Sequence, residues 1–318
     1  MFYRELGVSG LRVSAVGLGT WAMGGDFWGE SDDEQSISAI KAAIDHGVTL
    51  IDTAPAFGAG HAEELVGRAV KGRRNEVVIA TKGGVTRTPD GFAVNLKPET
   101  IEREVDESLK RLDLDVIDLY HIQSPDPHVP LGDTLEAVLR LRDKGKFRYF
   151  GLSNFGVPQV RQALSKVAVA SVQPHYSLLR RDIERDLVPY CIDHDIGLIT
   201  YGTLAGGILS GKYREIPQFG PGDNRAQFYD FFHEPLWGRI QGMLDSLRPI
   251  ASRHGRPLSQ VVINWLYWQP GITTVLVGAR NADQAISNAE AGEWELSNDE
   301  LDDIDEIAQR VYQPQKQV

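Results

Sequence analysis

A single cysteine, Cys191, stands in 318 residues, which excludes an internal disulfide framework and fits a reducing compartment. Its surroundings, DLVPYCIDHD, read as a helix in which a small buried hydrophobe is the expected role. No apolar run reaches the roughly 18 residues of a membrane span, and MFYRELGVSGLRVS lacks an apolar stretch of signal-peptide length. The expectation is a soluble, cytoplasmic protein that does not enter a membrane. None of the eight histidines falls into an H-x-x-x-H or Cys/His spacing, so no metal site is expected. Basic residues are outnumbered, 33 against 44 acidic ones, for a net charge of −11. Such a surface repels nucleic acid and anionic lipid, so any bound anion must meet a local group of donors. No Pro/Gly/Ser-rich linker divides the chain, and residues 1–318 are read as one domain.

What is present is ordinary for a globular protein, 42% hydrophobic and 24% charged residues. Short apolar runs of strand type recur: VGLG (16–19), TLIDT (49–53), VVIAT (77–81), VIDLYHI (116–122), FRYFGLS (147–153), ASVQP (170–174), GLITYG (197–202) and TVLVG (274–278). Between them lie helical patterns. IEREVDESLKRLD places Ile101, Val105, Leu109 and Leu112 on one face, and TLEAVLRLRDKG does the same before a glycine stop. Strands that alternate with helices pair in parallel through right-handed crossovers, and near-continuously apolar strands are covered on both faces. Eight such units predict a (β/α)₈ TIM barrel. RELGVSGLRVS predicts a short hairpin closing the barrel floor, NADQAISNAEAG and NDELDDIDEIAQRV predict final helices, and YQPQKQV a frayed tail. The Gly- and aromatic-rich excursion 205–238 breaks the rhythm, and long loops of this kind are usually functional.

VGLGTWA matches the G-x-G-x-x-[GA] fingerprint of an open dinucleotide-binding sheet. The acidic residue expected about 20 positions on is missing, since Asp52 lies well beyond, and bulky Trp21 occupies the turn where phosphates would pack.

In a barrel of this kind functional groups stand at the C-terminal strand ends. Asp52 closes the second strand and Lys82 the third, which predicts an ion pair whose members tune each other's pKa, or a structural salt bridge. Alternation puts His121 and Gln123 on one side of the fourth strand, with His121 about 7 Å deeper. Such a histidine serves either as a hydrogen-bonded core residue or as a catalyst. Ser153, Asn154, Gln173 and Tyr201 offer amide, hydroxyl and aromatic groups at later strand ends, and Arg280 precedes a helix in a phosphate-binding arrangement.

The motifs GLGTWAMGG, IDTAPAFGAGHAEELVGRA, VVIATKGG, DVIDLYHIQSPDP, GKFRYFGLSNF, SVQPHYSLLRRDIERDLVPYC, YGTLAGGILSGKY and VLVGARNADQAISN follow one another over about residues 3 to 310. In this order they resemble the aldo-keto reductase superfamily, and within it the bacterial general-oxidoreductase branch related to potassium-channel β subunits. The resemblance implies a barrel that binds NADP(H) across its mouth and transfers hydride to or from a carbonyl carbon. It implies that Ser153, Asn154 and Gln173 bind the nicotinamide carboxamide and that Tyr201 stacks on the ring. Gly202, Leu204, Gly206 and Lys212 would follow the pyrophosphate, with Arg225 as a further clasp. Gly278, Arg280, Gln284 and Asn288 would hold the adenosine end, Arg280 at the 2′-phosphate, although Ser287 stands where relatives often have glutamate. Thr20, Trp21 and Asp52 complete the expected cofactor contacts.

The family's catalytic quartet is Asp, Tyr, Lys and His, in which the tyrosine donates the proton. Asp52 and Lys82 match this resemblance, whereas Phe57 stands at the tyrosine position and Gln123 at the histidine position. Lys82 is the first candidate for a replacement donor, His121 the second, and Gln123 can donate a hydrogen bond but no proton. Trp21, Asp26 and Trp28, with the aromatic 219–237 segment, are expected to line a pocket for a small carbonyl or sugar substrate. Three functions fit these residues: an NADP(H)-dependent oxidoreductase, a cofactor-binding regulatory or sensor protein, and a nicotinamide-dependent epimerase. No pattern in the sequence specifies the substrate, the direction of reaction or an oligomeric state.

Overall fold

Eight parallel strands close into a barrel in chain order in the computed structural model, which describes residues 1–88 and 91–311. They are Val16–Gly19, Leu50–Asp52, Val78–Gly83, Ile117–Ile122, Phe147–Ser153, Ser171–Gln173, Gly197–Thr200 and Ile272–Gly278. The eighth pairs back onto the first through Val275↔Val16 and Gly278↔Gly19. Each strand expected from an apolar run is present, and the last begins earlier than expected because Ile272 and Thr273 are also buried.

The crossover helices form where apolar spacing and end signals agree. Pro98–Leu112 begins with proline in its first turn, buries Ile101, Val105, Leu109 and Leu112, and stops at Asp113 in a left-handed conformation, φ 54°. Leu131–Asp143 buries Leu135, Val138 and Leu141 on the same principle. Leu187–Asp193 carries Cys191, fully buried, whose thiol is pushed up to about 12 by desolvation, which makes it inert as a nucleophile at neutral pH. After the eighth strand come Ala282–Glu290, capped by Asn281, and Asn298–Gln309, whose Ser297 and Glu300 form a capping box. No helix among the described residues is long and apolar enough to cross a membrane. The tail 312–318 lies outside the described residues.

The barrel floor is sealed from below. Strands Tyr3–Glu5 and Arg12–Ser14 form the expected antiparallel hairpin. Its Leu6 and Val13, both 0% exposed, join Leu50, Val78, Ala80, Leu119, Ala170, Ile199 and Leu276 in an apolar cluster inside the barrel. Burying a side chain such as Leu6 stabilises the fold by about 1.5–3 kcal/mol. The hairpin approaches so closely that a Cβ on Gly7, φ +50°, would lie 2.5 Å from the Asp195 carbonyl oxygen and 2.6 Å from that of Ala170. Glycine is the residue that this contact permits.

Two features lie beyond the alternating pattern. A second hairpin, Val85–Thr88 with Gly91–Val94, follows the third strand. The 205–238 excursion contains short helical turns at Ala205–Ser210, Arg225–Phe228 and Asp230–Phe232.

Candidate active site

Side chains two residues apart on a strand line the same face, and along the barrel interior that step crosses from apolar to polar. Above Leu50 comes Asp52, above Ala80 comes Lys82, above Leu119 comes His121, and above Ile199 comes Tyr201. The Lys82 Nζ donates to Asp52 Oδ1 at 2.5 Å and to the Thr53 carbonyl at 3.1 Å. Gln173 Nε2 donates to the other carboxylate oxygen at 2.8 Å. Both members of the ion pair are nearly sealed, 3% and 4% exposed. Desolvation lowers the Lys82 pKa, with the Asp52 charge opposing it. An ammonium has three donors, and beyond the two committed ones the Phe57 ring lies 5.3 Å from Nζ.

His121 is fully buried beside Lys82, its strand neighbour in register. Its Nε2 contacts Ser171 Oγ at 2.9 Å, and its Nδ1 is enclosed without a partner. A Cβ on Gly151 would lie 2.5 Å from the imidazole, so the missing side chain there makes room for the ring. Burial, with the Lys82 charge second, holds His121 well below the usual histidine range and therefore neutral. The Gln123 backbone N–H donates to Gly83 and its carbonyl accepts from Asn154 Nδ2, each at 2.9 Å, while its side-chain Oε1 is enclosed without a donor.

Around the rim, Ser153 Oγ donates to the Gln173 carbonyl at 3.0 Å. Asn154 adopts φ 65°, a left-handed conformation that asparagine tolerates, and its Oδ1 accepts from the Tyr201 hydroxyl at 2.7 Å. Leu204 precedes the turn Ala205–Ser210, in which Gly206 and Gly207 both take positive φ. Arg225 is held by Asp223, Nη2 to Oδ2 at 2.5 Å, and also donates to the Gly206 carbonyl and the Tyr213 hydroxyl. Lys212 and Arg280 differ from it in having no carboxylate within ion-pair distance among the described residues. Arg280 donates instead to the carbonyls of Trp28 and Glu30, and its backbone N–H donates to Gln284 Oε1 at 3.0 Å. Asn288 Nδ2 donates to the Gly278 carbonyl at 3.1 Å.

An aromatic cover lies over this polar layer. Trp21 stacks on Phe27 at 4.7 Å and on Phe57 at 5.9 Å, and meets Trp28 edge-on at 5.4 Å. Thr20 Oγ1 donates to the Asp52 carbonyl at 3.0 Å, tying the start of the first loop to the second strand. The loop after the first strand is joined to the excursion after the seventh by Gly29 N–H to Gly222 O and Asn224 N–H to Phe27 O. Asp26 lies 3.6 Å from Arg87 of the second hairpin, but both its carboxylate oxygens are enclosed without a hydrogen bond. The indole N–H groups of Trp21 and Trp28 are enclosed without acceptors in the same way.

A model of the aldo/keto reductase family matches residues 15–309. The chain belongs to the aldo/keto reductase family. It is 37% identical to the aldo-keto reductase YhdN of Bacillus subtilis over 98% of this chain and 95% of the relative. It is 32% identical to an NADH-specific methylglyoxal reductase of Escherichia coli, covering 96% and 98% of the two chains. A probable voltage-gated potassium channel β subunit of Arabidopsis thaliana is 32% identical over 92% and 91%. Among solved structures, a glycerol dehydrogenase from Gluconobacter oxydans superposes with a TM-score of 0.89 at 33% identity, covering 99% and 98%. The protein is thus an oxidoreductase with an aldo/keto reductase barrel, in a family that works with nicotinamide cofactors.

The structure brings Asp52, Lys82, Phe57, Gln173 and His121 together at one level of the barrel and sets Tyr201, Asn154 and Gln123 in a connected chain beside them. Three neighbours of these groups escaped sequence reasoning: Asp223, Arg87 and His175. His175 follows Gln173 by two positions, so alternation past the strand end was the available signal.

Proposed function

We propose that the protein is an NADP(H)-dependent oxidoreductase acting on a carbonyl or alcohol of a small, polyhydroxylated, sugar-like substrate, with Lys82 as the proton donor. The observation that carries this reading is the buried Lys82 ammonium, two of its donors committed to Asp52 and Thr53 and Phe57 packed against it. Where a phenol would relay the proton, the ring offers only its π face. The ammonium is then the acid beside a developing alkoxide, held in place by Asp52, which Gln173 orients in turn.

The residues present fit a phosphorylated dinucleotide. Arg280 carries a guanidinium with no carboxylate within ion-pair distance among the described residues, and its planar fork suits a 2′-phosphate. Lys212, beside the glycine turn, is a second uncompensated cation for the pyrophosphate. Gly202, Leu204 and Gly206 would give that turn its close backbone approach, Gly278, Gln284 and Asn288 would flank Arg280 at the adenosine end, and Ser153, Asn154 and Gln173 would bind the carboxamide. Arg225, committed to Asp223, braces the 205–238 excursion through Gly206 and Tyr213. When bound, the nicotinamide supplies or accepts the hydride. Near the cover, the enclosed indole donors and the Asp26 acceptors match hydroxyl groups, each of which both donates and accepts. The same Phe57 favours a second reading, a cofactor-binding sensor with little turnover.

Dissociation constants for NADPH and NADH, in wild type and Arg280→Ala, test the cofactor assignment. NADPH should bind more tightly to wild type, and the substitution should remove the difference. Equal wild-type affinities would refute the NADP(H) preference, and tight binding without turnover of any hydroxy-carbonyl substrate would favour the sensor.

A further inference from the structure

The Tyr201 ring has a partner outside the catalytic layer. His175 stacks against it with centroids 4.9 Å apart and planes 20° from parallel. The two residues also form a parallel bridge between the ends of the sixth and seventh strands. Gly202, φ +78°, follows at once, and a Cβ there would lie 2.2 Å from His175 Nε2, so the imidazole occupies the space that a side chain at 202 would need. His175 Nε2 is enclosed and makes no hydrogen bond. A histidine with an orphaned nitrogen, fitted into a gap left by glycine, contributes here through its flat shape rather than through polar contacts.

The covered face of Tyr201 determines what the ring can do. Its hydroxyl is tied to Asn154 Oδ1, and Asn154 Nδ2 in turn is tied to the Gln123 carbonyl. The ring is therefore fixed at its tip by Asn154 and along one face by His175. Tyr201 remains half-buried, and His175 covers one of the two faces of its ring. We infer that His175 is a positioning residue, a backing plate that holds Tyr201 in the orientation in which its free face receives the nicotinamide ring. The inference rests on the proposed cofactor reading. Burial, with Arg180 second, lowers the His175 pKa to about 3, so the backing ring is uncharged throughout the neutral range.

The test compares His175→Leu, which keeps apolar volume but loses the flat ring, with His175→Phe, which keeps a ring. Two probes are used: NADPH, and 2′-phospho-ADP-ribose, which lacks the nicotinamide. His175→Leu should weaken NADPH about three- to tenfold, the range of one aromatic stacking contact. It should leave 2′-phospho-ADP-ribose unchanged, and His175→Phe should restore NADPH affinity. Equal loss for both probes would show a merely structural role and overturn the inference, as would NADPH affinity unchanged in His175→Leu. Wild type that binds 2′-phospho-ADP-ribose but gains nothing from the nicotinamide would also overturn it. Wild type that binds neither probe would overturn the cofactor reading itself. Thermal melting of each variant confirms that folded protein is compared.

Discussion

The floor and the mouth of this barrel are built from the same strands, one inward position apart, and they obey opposite rules. At the floor Leu50, Ala80, Leu119 and Ile199 meet Leu6 and Val13 of the hairpin in an apolar cluster. One step up, Asp52, Lys82 and His121 form a polar layer almost as well sealed from water, with the half-buried Tyr201 at its rim. Apolar burial needs only volume and shape. A buried ion pair needs each donor and acceptor matched, since its attraction in a dry interior only offsets the desolvation of its members. The mouth has enclosed atoms left over, His121 Nδ1 and Gln123 Oε1 among them, whereas the floor residues Leu6, Val13, Leu50, Ala80, Leu119 and Ile199 carry no side-chain polar atom to satisfy. The comparison teaches that the floor holds the barrel shut and that the mouth draws on that stability to keep costly groups in place.

The largest effect is expected from Lys82→Met. Reduction should fall by at least about 10²–10⁴-fold. Asp52, left without its counter-charge, should cost about 3–5 kcal/mol of stability in denaturant titration. The pH profile adds a signed check. The proposed donor, the Lys82 ammonium, is present below its pKa and lost as pH rises through it. Because burial lowers that pKa, wild-type reduction should decline before the ordinary lysine value near 10.4, and residual activity in Lys82→Met should lack this limb.

Leu6→Ala probes the other half. It should cost about 2–5 kcal/mol in the same titration and leave NADPH affinity and kcat unchanged at temperatures where the protein is folded. If cofactor affinity fell in step with stability, floor and mouth would be one unit rather than two. The smallest effect is expected for Phe57→Tyr, which puts a hydroxyl beside Lys82 where the ring now rests. Reduction of simple aldehydes should rise at least about tenfold, with little change in Tm. An unchanged or lower rate would mean that Lys82 acts directly on substrate and that the mouth is a complete alternative design.

Every barrel strand, the floor hairpin and the outer helices were legible because each rests on a local pattern: a short apolar run, a helical spacing, a turn glycine. The polar layer was legible too, since alternation assigns Asp52, Lys82 and His121 to the interior once the strands are placed. The mouth's cover was less so. That Arg225 faces Asp223 rather than standing free depends on the excursion folding back on the first loop through Gly222 and Asn224, a pairing that no periodicity encodes. The hairpin at Val85–Thr88 and Gly91–Val94, which brings Arg87 to Asp26, was too short and too polar to register as strand. His175 was hidden because its contact is with the face of a neighbour, and the irregular strand end before Tyr201 carries no repeat to extend.

The floor hairpin also sets a timetable. Phe2 hydrogen-bonds to Gly292, Arg4 to the carbonyl of Tyr267, and Gly7 nestles against Ala170, Asp195 and Gly197. In the order of synthesis the hairpin leaves the ribosome long before any of these partners exists, and its contacts with the barrel form only once the last turns arrive. The stopper of the barrel is thus made early and fitted late.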